Sequence, residues 1–179
     1  MATNYLKIFN QHLEINHLTE YQRSVSLQAI FDRDIADNEV FNFQTKIIRP
    51  LKKEDKYDVA SLFKHLTHRT DEEKDKKGVI IKKRDVFDFE RSKRLHWVLP
   101  HINQKVIDNV DVFSAYSRID GKNVIRTFIH NKNEDYILIL EPQKSGLDYY
   151  FITAYYLEEK YGGLKMIKQK YKNRLPDIY

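Results

Sequence analysis

Four side chains in the second half of the chain carry groups suited to binding a phosphodiester: a guanidinium, an imidazole and two hydroxyls. Residues two or four apart in a strand share a face, so Arg126 and His130 are expected on one face of their strand. By the same alternation Thr153 and Tyr155 share a side with Phe151. If the two sides form one face, these groups converge above aromatic rings, which suits a phosphate and a stacked base.

Each of these residues also has an ordinary structural interpretation. A mid-strand arginine such as Arg126 can pair with a carboxylate such as Glu141. His130 stands at a strand end beside a turn, and Thr153 and Tyr155 are strand formers by propensity. Only the set of four residues therefore favours a functional interpretation.

Other known chemical motifs are weak or missing in the sequence. His65 and His68 lie three apart on a predicted helix, ahead of the acidic run 71–73, but no third ligand follows at a recognised metal-site spacing. There is no cysteine, P-loop, glycine-rich dinucleotide fingerprint, GxSxG elbow or EF-hand loop. The sequence thus predicts neither a metal site nor a cofactor.

Charge is distributed unevenly along the 179 residues. Residues 1–60 carry eight basic and nine acidic side chains, whereas residues 74–94 carry nine basic and four acidic ones. Residues 151–179 carry six basic and three acidic side chains. Polyanions such as nucleic acid are therefore plausible partners of the second half of the chain.

Hydrophobic periodicity predicts mainly helices in the first part of one ordinary domain. Apolar residues recur at helical spacing over residues 4–17, 20–36 and 57–68, and residues 40–48 are either a strand or an extended packing segment. Residues 71–77 are expected to form a surface loop. A helix within 88–109 is either kinked or restarted at Pro100.

Residues 109–157 alternate as four strands, at 110–117, 123–130, 135–141 and 149–157, with a hairpin signal at Asp120-Gly121. A basic helix is predicted over 158–172. The fold class predicted is therefore α+β, with N-terminal helices packed on a four-stranded antiparallel β-meander and a C-terminal helix.

Three segments carry a resemblance to a known family: RSKRLHWVLPHI at 91–102, RTF at 126–128 and YFITAYY at 150–156. Together they resemble the phage and mobile-element branch of the barnase/EndoU/colicin/RelE-type (BECR) nucleases, over about residues 56–171. The resemblance implies a nuclease domain at 56–179 behind a helical extension at 1–55. It also implies a toxin-like, metal-independent endoribonuclease in which the 2′-hydroxyl attacks the phosphate and leaves a 2′,3′-cyclic phosphate.

The resemblance also assigns roles to residues. His96 would be the principal acid or base, Arg126 would hold the phosphate, and Thr153 with Tyr155 would bond the phosphate or the 2′-oxygen. A second acid or base is not evident, although His101 and His130 are candidates. Further RNA contacts would come from Arg91, Lys93, Arg94 and His130.

The implied partners are RNA, including tRNA, and an antitoxin or immunity protein. No signal peptide or spanning helix is visible, so the cytoplasm is the expected location and no membrane partner is expected. Two other functions fit the sequence. One is a noncatalytic nucleic-acid-binding module that uses residues 74–94 and the C-terminal helix, and the other is a protein-interaction protein that uses its N-terminal helices.

Overall fold

The computed structural model describes residues 2–74, 80–158 and 162–179, with side chains described for 3–71, 83–158 and 162–179. Its helices are α1 (Ala2–Tyr5), α2 (Glu20–Phe31), α3 (Val59–Thr67), α4 (Phe89–Ser92), α5 (Val98–Ile102) and α6 (Gly163–Lys172). A π-helical turn, Asp32–Ala36, continues α2, and a 3-10 turn, Leu95–Trp97, leads into α5. Pro100 therefore lies inside α5.

The strands are β1 (Asn42–Phe43), β2 (Lys46–Arg49), β3 (Lys52–Lys53), β4 (Lys56–Tyr57), β5 (His68–Lys74), β6 (Ile80–Phe87), β7 (Val110–Ile119), β8 (Lys122–Asn131), β9 (Tyr136–Pro142) and β10 (Asp148–Tyr156). Six of them form one sheet in the order β1-β2-β10-β9-β8-β7. Strands β3 with β4, and β5 with β6, form two separate hairpins.

The predicted four-stranded antiparallel sheet is wrong as a description of the fold. Strands β7 to β10 pair antiparallel in succession, but β2 adds to the outer side of β10 in the parallel direction and β1 adds to β2. The sheet is therefore mixed and six-stranded. A four-residue strand whose partner lies about a hundred positions away leaves no local pairing signal, so its place in the sheet could not be read from alternation.

The N-terminal region also differs from a set of packed helices. The helix predicted over residues 4–17 is wrong, because α1 ends at Tyr5 and the chain continues through short turns that are held by bonds to distant groups. The Leu13 amide donates to the Lys93 carbonyl (2.9 Å), and the Trp97 indole donates to the Gln11 carbonyl (2.9 Å). These bonds hold residues 4–17 as a strap across Trp97.

The surface loop predicted at residues 71–77 is wrong for residues 71–74, the part of this segment that the structure describes. His68–Lys74 is a strand that pairs antiparallel with Ile80–Phe87, and residues 75–79 lie outside the described part of the chain. A run of acidic and basic residues is typical of a solvated loop. An antiparallel strand that faces water can carry the same charged residues.

The six-stranded sheet buries an apolar layer on each face. Its inner face, with Leu138, Leu140 and Phe151, packs against α2, α3 and the Trp97 region. Its outer face, with Phe128 and Ile139, packs partly against α6. Because α6 covers only part of the outer face, polar side chains along β10 lie at the border between protein and solvent. Within the described residues, no helix has the length and apolar character needed to span a membrane.

Helix α3 packs beside β10 and begins at a well-formed cap. The Asp58 carboxylate accepts bonds from the Ser61 amide (2.9 Å) and hydroxyl (2.6 Å). Replacing Asp58 by alanine is expected to lower the free energy of unfolding by about 1 kcal/mol, because the first turn loses this partner. Urea denaturation checks this, and Asp58→Asn should retain most of the stability; equal losses in both variants would contradict the capping role.

Candidate nucleic-acid interface

A bulge in β10 decides which side chains share a face. The pairing of β10 with β9 shifts between Phe151 and Thr153, so that Thr153 lies opposite Ile139 and Tyr155 opposite Ile137. Thr153 and Tyr155 therefore lie on the outer face, whereas Phe151 joins the inner core. The expectation that Thr153 and Tyr155 share a side with Phe151 is wrong, because the extra residue at the bulge shifts the later side chains to the other face.

The outer face of β8 carries Arg126, which lies opposite Glu141 of β9 with an Arg126 Nε to Glu141 Oε2 distance of 3.4 Å. The ion pair considered from the sequence is thus present. Arg126 also lies near enough to Tyr155 for its charge to act on the phenol. Arg126, Thr153 and Tyr155 therefore share one face.

Arg91 connects α4 to the bulged part of β10. Its Nη1 donates to the carbonyls of His65 (2.6 Å) and His68 (3.3 Å) and to the Thr153 hydroxyl (3.4 Å). Its guanidinium carbon lies 5.2 Å from the centre of the Tyr155 ring. Arg91 Nε is buried and lies 3.6 Å from Asp88 Oδ2. Among the described residues Nη2 has no hydrogen-bond partner, so Nη2 is the atom available to a ligand.

His65 lies beside the same bulge with its tautomer fixed. Its Nδ1 is 3.0 Å from the Ile152 carbonyl, which can only accept, so Nδ1 carries the proton and Nε2 of the neutral ring is an acceptor. Thr153 Oγ1 donates to the His65 main-chain carbonyl (3.1 Å). Burial lowers the pKa of His65, and the positive charges of Arg84 and Arg91 lower it further, while the Ile152 carbonyl and Asp58 act in the opposite direction.

We call the five side chains around the bulge the β10-edge cluster: His65, Arg84, Arg91, Thr153 and Tyr155. Arg84 belongs to it because its Nη1 donates to the His68 carbonyl (3.1 Å), and its charge lowers the pKa of both His65 and Arg91. Burial raises the pKa of Tyr155, and Arg91 and Arg126 only partly offset this, so the phenol is a hydrogen-bond donor at neutral pH. All five side chains are partly exposed.

A cavity of about 220 Å³ adjoins the cluster at Tyr155 and is also lined by Arg69, Arg91 and Tyr156. We call it the tyrosine cavity. Carboxylates line it too: Asp88 pairs with Arg91 (3.6 Å), and Glu90 pairs with two cations, as described below. Tyrosine faces beside arginines are suited to stacking a base next to its phosphate.

His96 is not part of this cluster. It is 4% exposed, it lies under the strap, and its Nε2 donates to the Ile8 carbonyl (3.3 Å). Burial lowers the pKa of His96 to about 4, although the carbonyls of Ile8 and Gln11 favour the protonated ring. It lines a different cavity, of about 410 Å³, together with Arg33 and Asp34. This imidazole is neutral at pH 7 and lies apart from the β10-edge cluster.

Two cations predicted to approach RNA are held in structural ion pairs. Glu90 accepts from Lys93 Nζ (2.7 Å) and from Arg94 Nη1 (2.9 Å). Arg94 is 6% exposed, and its guanidinium carbon lies 4.5 Å from the centre of the Tyr156 ring. Of the three cations predicted in this segment, only Arg91 reaches the cluster.

The remaining histidine candidates also lie elsewhere. His130 shares the outer face with Arg126 as expected, opposite Ile137, but it is two strands away from Tyr155 and buried, and burial lowers its pKa. His101 is buried beneath Tyr136, where its Nδ1 lies 2.6 Å from the Trp97 carbonyl. Neither ring contacts Arg91 or Thr153 within the described chain.

The sequence singled out His65 only as half of a weak metal motif. In the structure the His65 ring bonds to Ile152, and the His68 ring bonds to the Thr67 hydroxyl (2.8 Å). Among the described side chains, no group of three or more histidines and acids is placed to hold a metal ion; Glu72 and Glu73 lie outside that set. The available signal for His65 was its position on the polar side of α3.

Comparisons of the chain with protein-family models, with curated proteins and with solved structures find no significant match.

Proposed function

We propose that this protein is a metal-independent endoribonuclease whose site is the β10-edge cluster. The observation that supports it is the convergence, around one bulge, of an imidazole with a fixed tautomer, a guanidinium and two hydroxyls. These are the groups that cleavage through the neighbouring 2′-hydroxyl requires: a base, a cation for the phosphate, and hydrogen-bond donors.

In this proposal Arg91 binds a non-bridging phosphate oxygen through Nη2, with Arg84 adding positive charge. Tyr155 donates a hydrogen bond to the phosphate as negative charge accumulates on it. The Thr153 hydroxyl donates to the His65 carbonyl and accepts from Arg91, so it positions both residues. His65 Nε2 takes the proton of the 2′-hydroxyl while the O2′–P bond forms. The P–O5′ bond breaks, the leaving oxygen takes a proton from water, and the products carry a 2′,3′-cyclic phosphate and a 5′-hydroxyl.

His65 replaces His96 as the proposed base because His65 is adjacent to Arg91 and Thr153, whereas His96 is enclosed under the strap. Arg126 has an indirect role: its charge acts on Tyr155 while Glu141 holds its guanidinium. RNA as the partner and the cytoplasm as the location belong to the same proposal, as does an inhibitory antitoxin in a cell that carries a toxin-like ribonuclease.

The purified full chain should fragment total RNA and tRNA in buffer containing a chelator. The new ends should be 2′,3′-cyclic phosphates, detected by their resistance to ligation until the cyclic end is opened and removed by a phosphatase. Intact RNA, or fragments that all end in 3′-hydroxyls, would contradict the proposal. Salt-dependent binding to RNA that stays intact would support the noncatalytic module instead.

A further inference from the structure

A second cavity lies at the other end of the unpaired edge of β10. It measures about 200 Å³ and is lined by His65, Phe151, Asp58 and the two adjacent lysines of β3, Lys52 and Lys53. We call it the lysine cavity. His65 lines this cavity and also belongs to the β10-edge cluster, so the cavity and the cluster adjoin each other.

The lysine cavity offers positive charge that is not already paired. Lys52 and Lys53 are exposed, and among the described residues neither forms an ion pair. Asp58 lines the same cavity, where its carboxylate accepts from Ser61 and where the charge of Lys53 helps to lower its pKa. Two positive charges thus face one carboxylate, which leaves a net positive charge for an anion that enters beside His65.

The spacing of the two cavities favours a polymer as the ligand. Phe151 lines the lysine cavity and Tyr155 lines the tyrosine cavity; because of the bulge, their partners on β9, Leu140 and Ile137, are three positions apart. At a rise of about 3.3 Å per residue the separation is roughly 10 Å. That is more than one phosphate group can bridge, so a ligand that occupies both cavities must carry successive phosphates.

The tyrosine cavity indicates which form of RNA fits. A duplex keeps its bases stacked inside, whereas a single strand can turn a base out onto an aromatic side chain. Tyr155 and Tyr156 line a space of about 220 Å³, which suits one such base. An unpaired strand can therefore fill this cavity while its backbone continues past Thr153 toward Lys52 and Lys53.

We infer that the lysine cavity is a second phosphate subsite, and that the substrate is single-stranded RNA lying along β10 from the tyrosine cavity to Lys52 and Lys53. The inference rests on the proposed ribonuclease function, since it extends the same site. It places the scissile phosphate between the two cavities, beside His65 and Arg91.

The test measures binding of 2′-O-methyl oligonucleotides, which cannot be cleaved through the 2′-oxygen, by fluorescence anisotropy. Wild-type protein should bind a five-nucleotide strand at least about 10-fold more tightly than a dinucleotide. The Lys52→Gln/Lys53→Gln variant should lose that gain and keep its affinity for the dinucleotide. Its slope of log affinity against log salt should fall by about 1, because each phosphate contact contributes roughly 0.7 in single strands.

Lys105→Gln/Lys122→Gln is the matched control, because it removes the same charge from two exposed lysines outside both cavities and should bind like wild type. Unchanged affinity of Lys52→Gln/Lys53→Gln for the five-nucleotide strand would overturn the second subsite. Equal affinity of wild type for a duplex would overturn the single-strand assignment. Failure of wild type to bind any of the RNAs would instead contradict the proposed function.

Discussion

Replacing His65 by asparagine is expected to lower the rate of RNA cleavage about 100-fold or more, because a positioned general base typically contributes at least that factor. The asparagine amide stands where Nδ1 stood and can still donate to the Ile152 carbonyl, so the bulge keeps its bond while the titrating Nε2 is lost. RNA affinity should change by less than about threefold. Single-turnover cleavage of a defined oligonucleotide at pH 7 measures the effect.

Two companion measurements separate His65 from His96. The wild-type rate should fall only at a pH below the ordinary imidazole pKa of about 6.5, because burial lowers the pKa of His65, and this acid limb should vanish in His65→Asn. His96→Gln, whose amide can still donate to the Ile8 carbonyl, should retain the wild-type rate in folded protein. The opposite pattern, with loss in His96→Gln and full activity in His65→Asn, would return the catalytic role to His96.

Acidification is expected to remove about 3 kcal/mol of stability through His96 alone. Burial lowers the pKa of His96 to about 4 in the folded protein, whereas the ring titrates near 6.5 when the chain is unfolded. Between these values the unfolded chain binds a proton that the folded chain does not, so stability is complete above pH 6.5 and falls as pH decreases toward 4.

Urea denaturation of wild type and His96→Gln at pH 7 and pH 4.5 tests this loss. Wild type should lose clearly more stability than the variant over this interval. Some loss should remain in the variant, because burial also lowers the pKa of His12 and His101 near the strap. Identical losses in the two proteins would show that His96 is protonated without cost, and therefore that the strap does not enclose it.

Helical periodicity and turn residues identified much of the local structure. The helix predicted from residue 20 is α2, which begins at Glu20, and the predicted turn at Asp120-Gly121 joins β7 to β8. The mixed sheet was not predictable in this way, because β2 pairs with a strand about a hundred residues away. The strap was missed for a related reason: its apolar spacing fits a helix, but the indole of Trp97 and the backbone at Lys93 hold it in a non-helical conformation.

The candidate site was predictable in composition more than in geometry. Thr153, Tyr155 and Arg126 share a face, as expected. They do so only because a bulge shifts the side chains of β10 to the other face after Phe151. Bulges have no reliable sequence signature. The surroundings of the histidines were the least predictable part of the candidate site. Whether a ring such as His65 or His96 is accessible depends on which distant segment covers it, and no local pattern encodes that.

In the proposed complex, RNA lies along β10 at the β10-edge cluster. Ultraviolet crosslinking of a non-cleavable single strand carrying 5-iodouridine, followed by mass spectrometry of the peptides, tests this placement. Adducts should form on the peptide that contains Tyr155 and Tyr156 and should be lost in competition with unlabelled single strand. Adducts confined to the strap over His96, or to the basic helix α6, would contradict it.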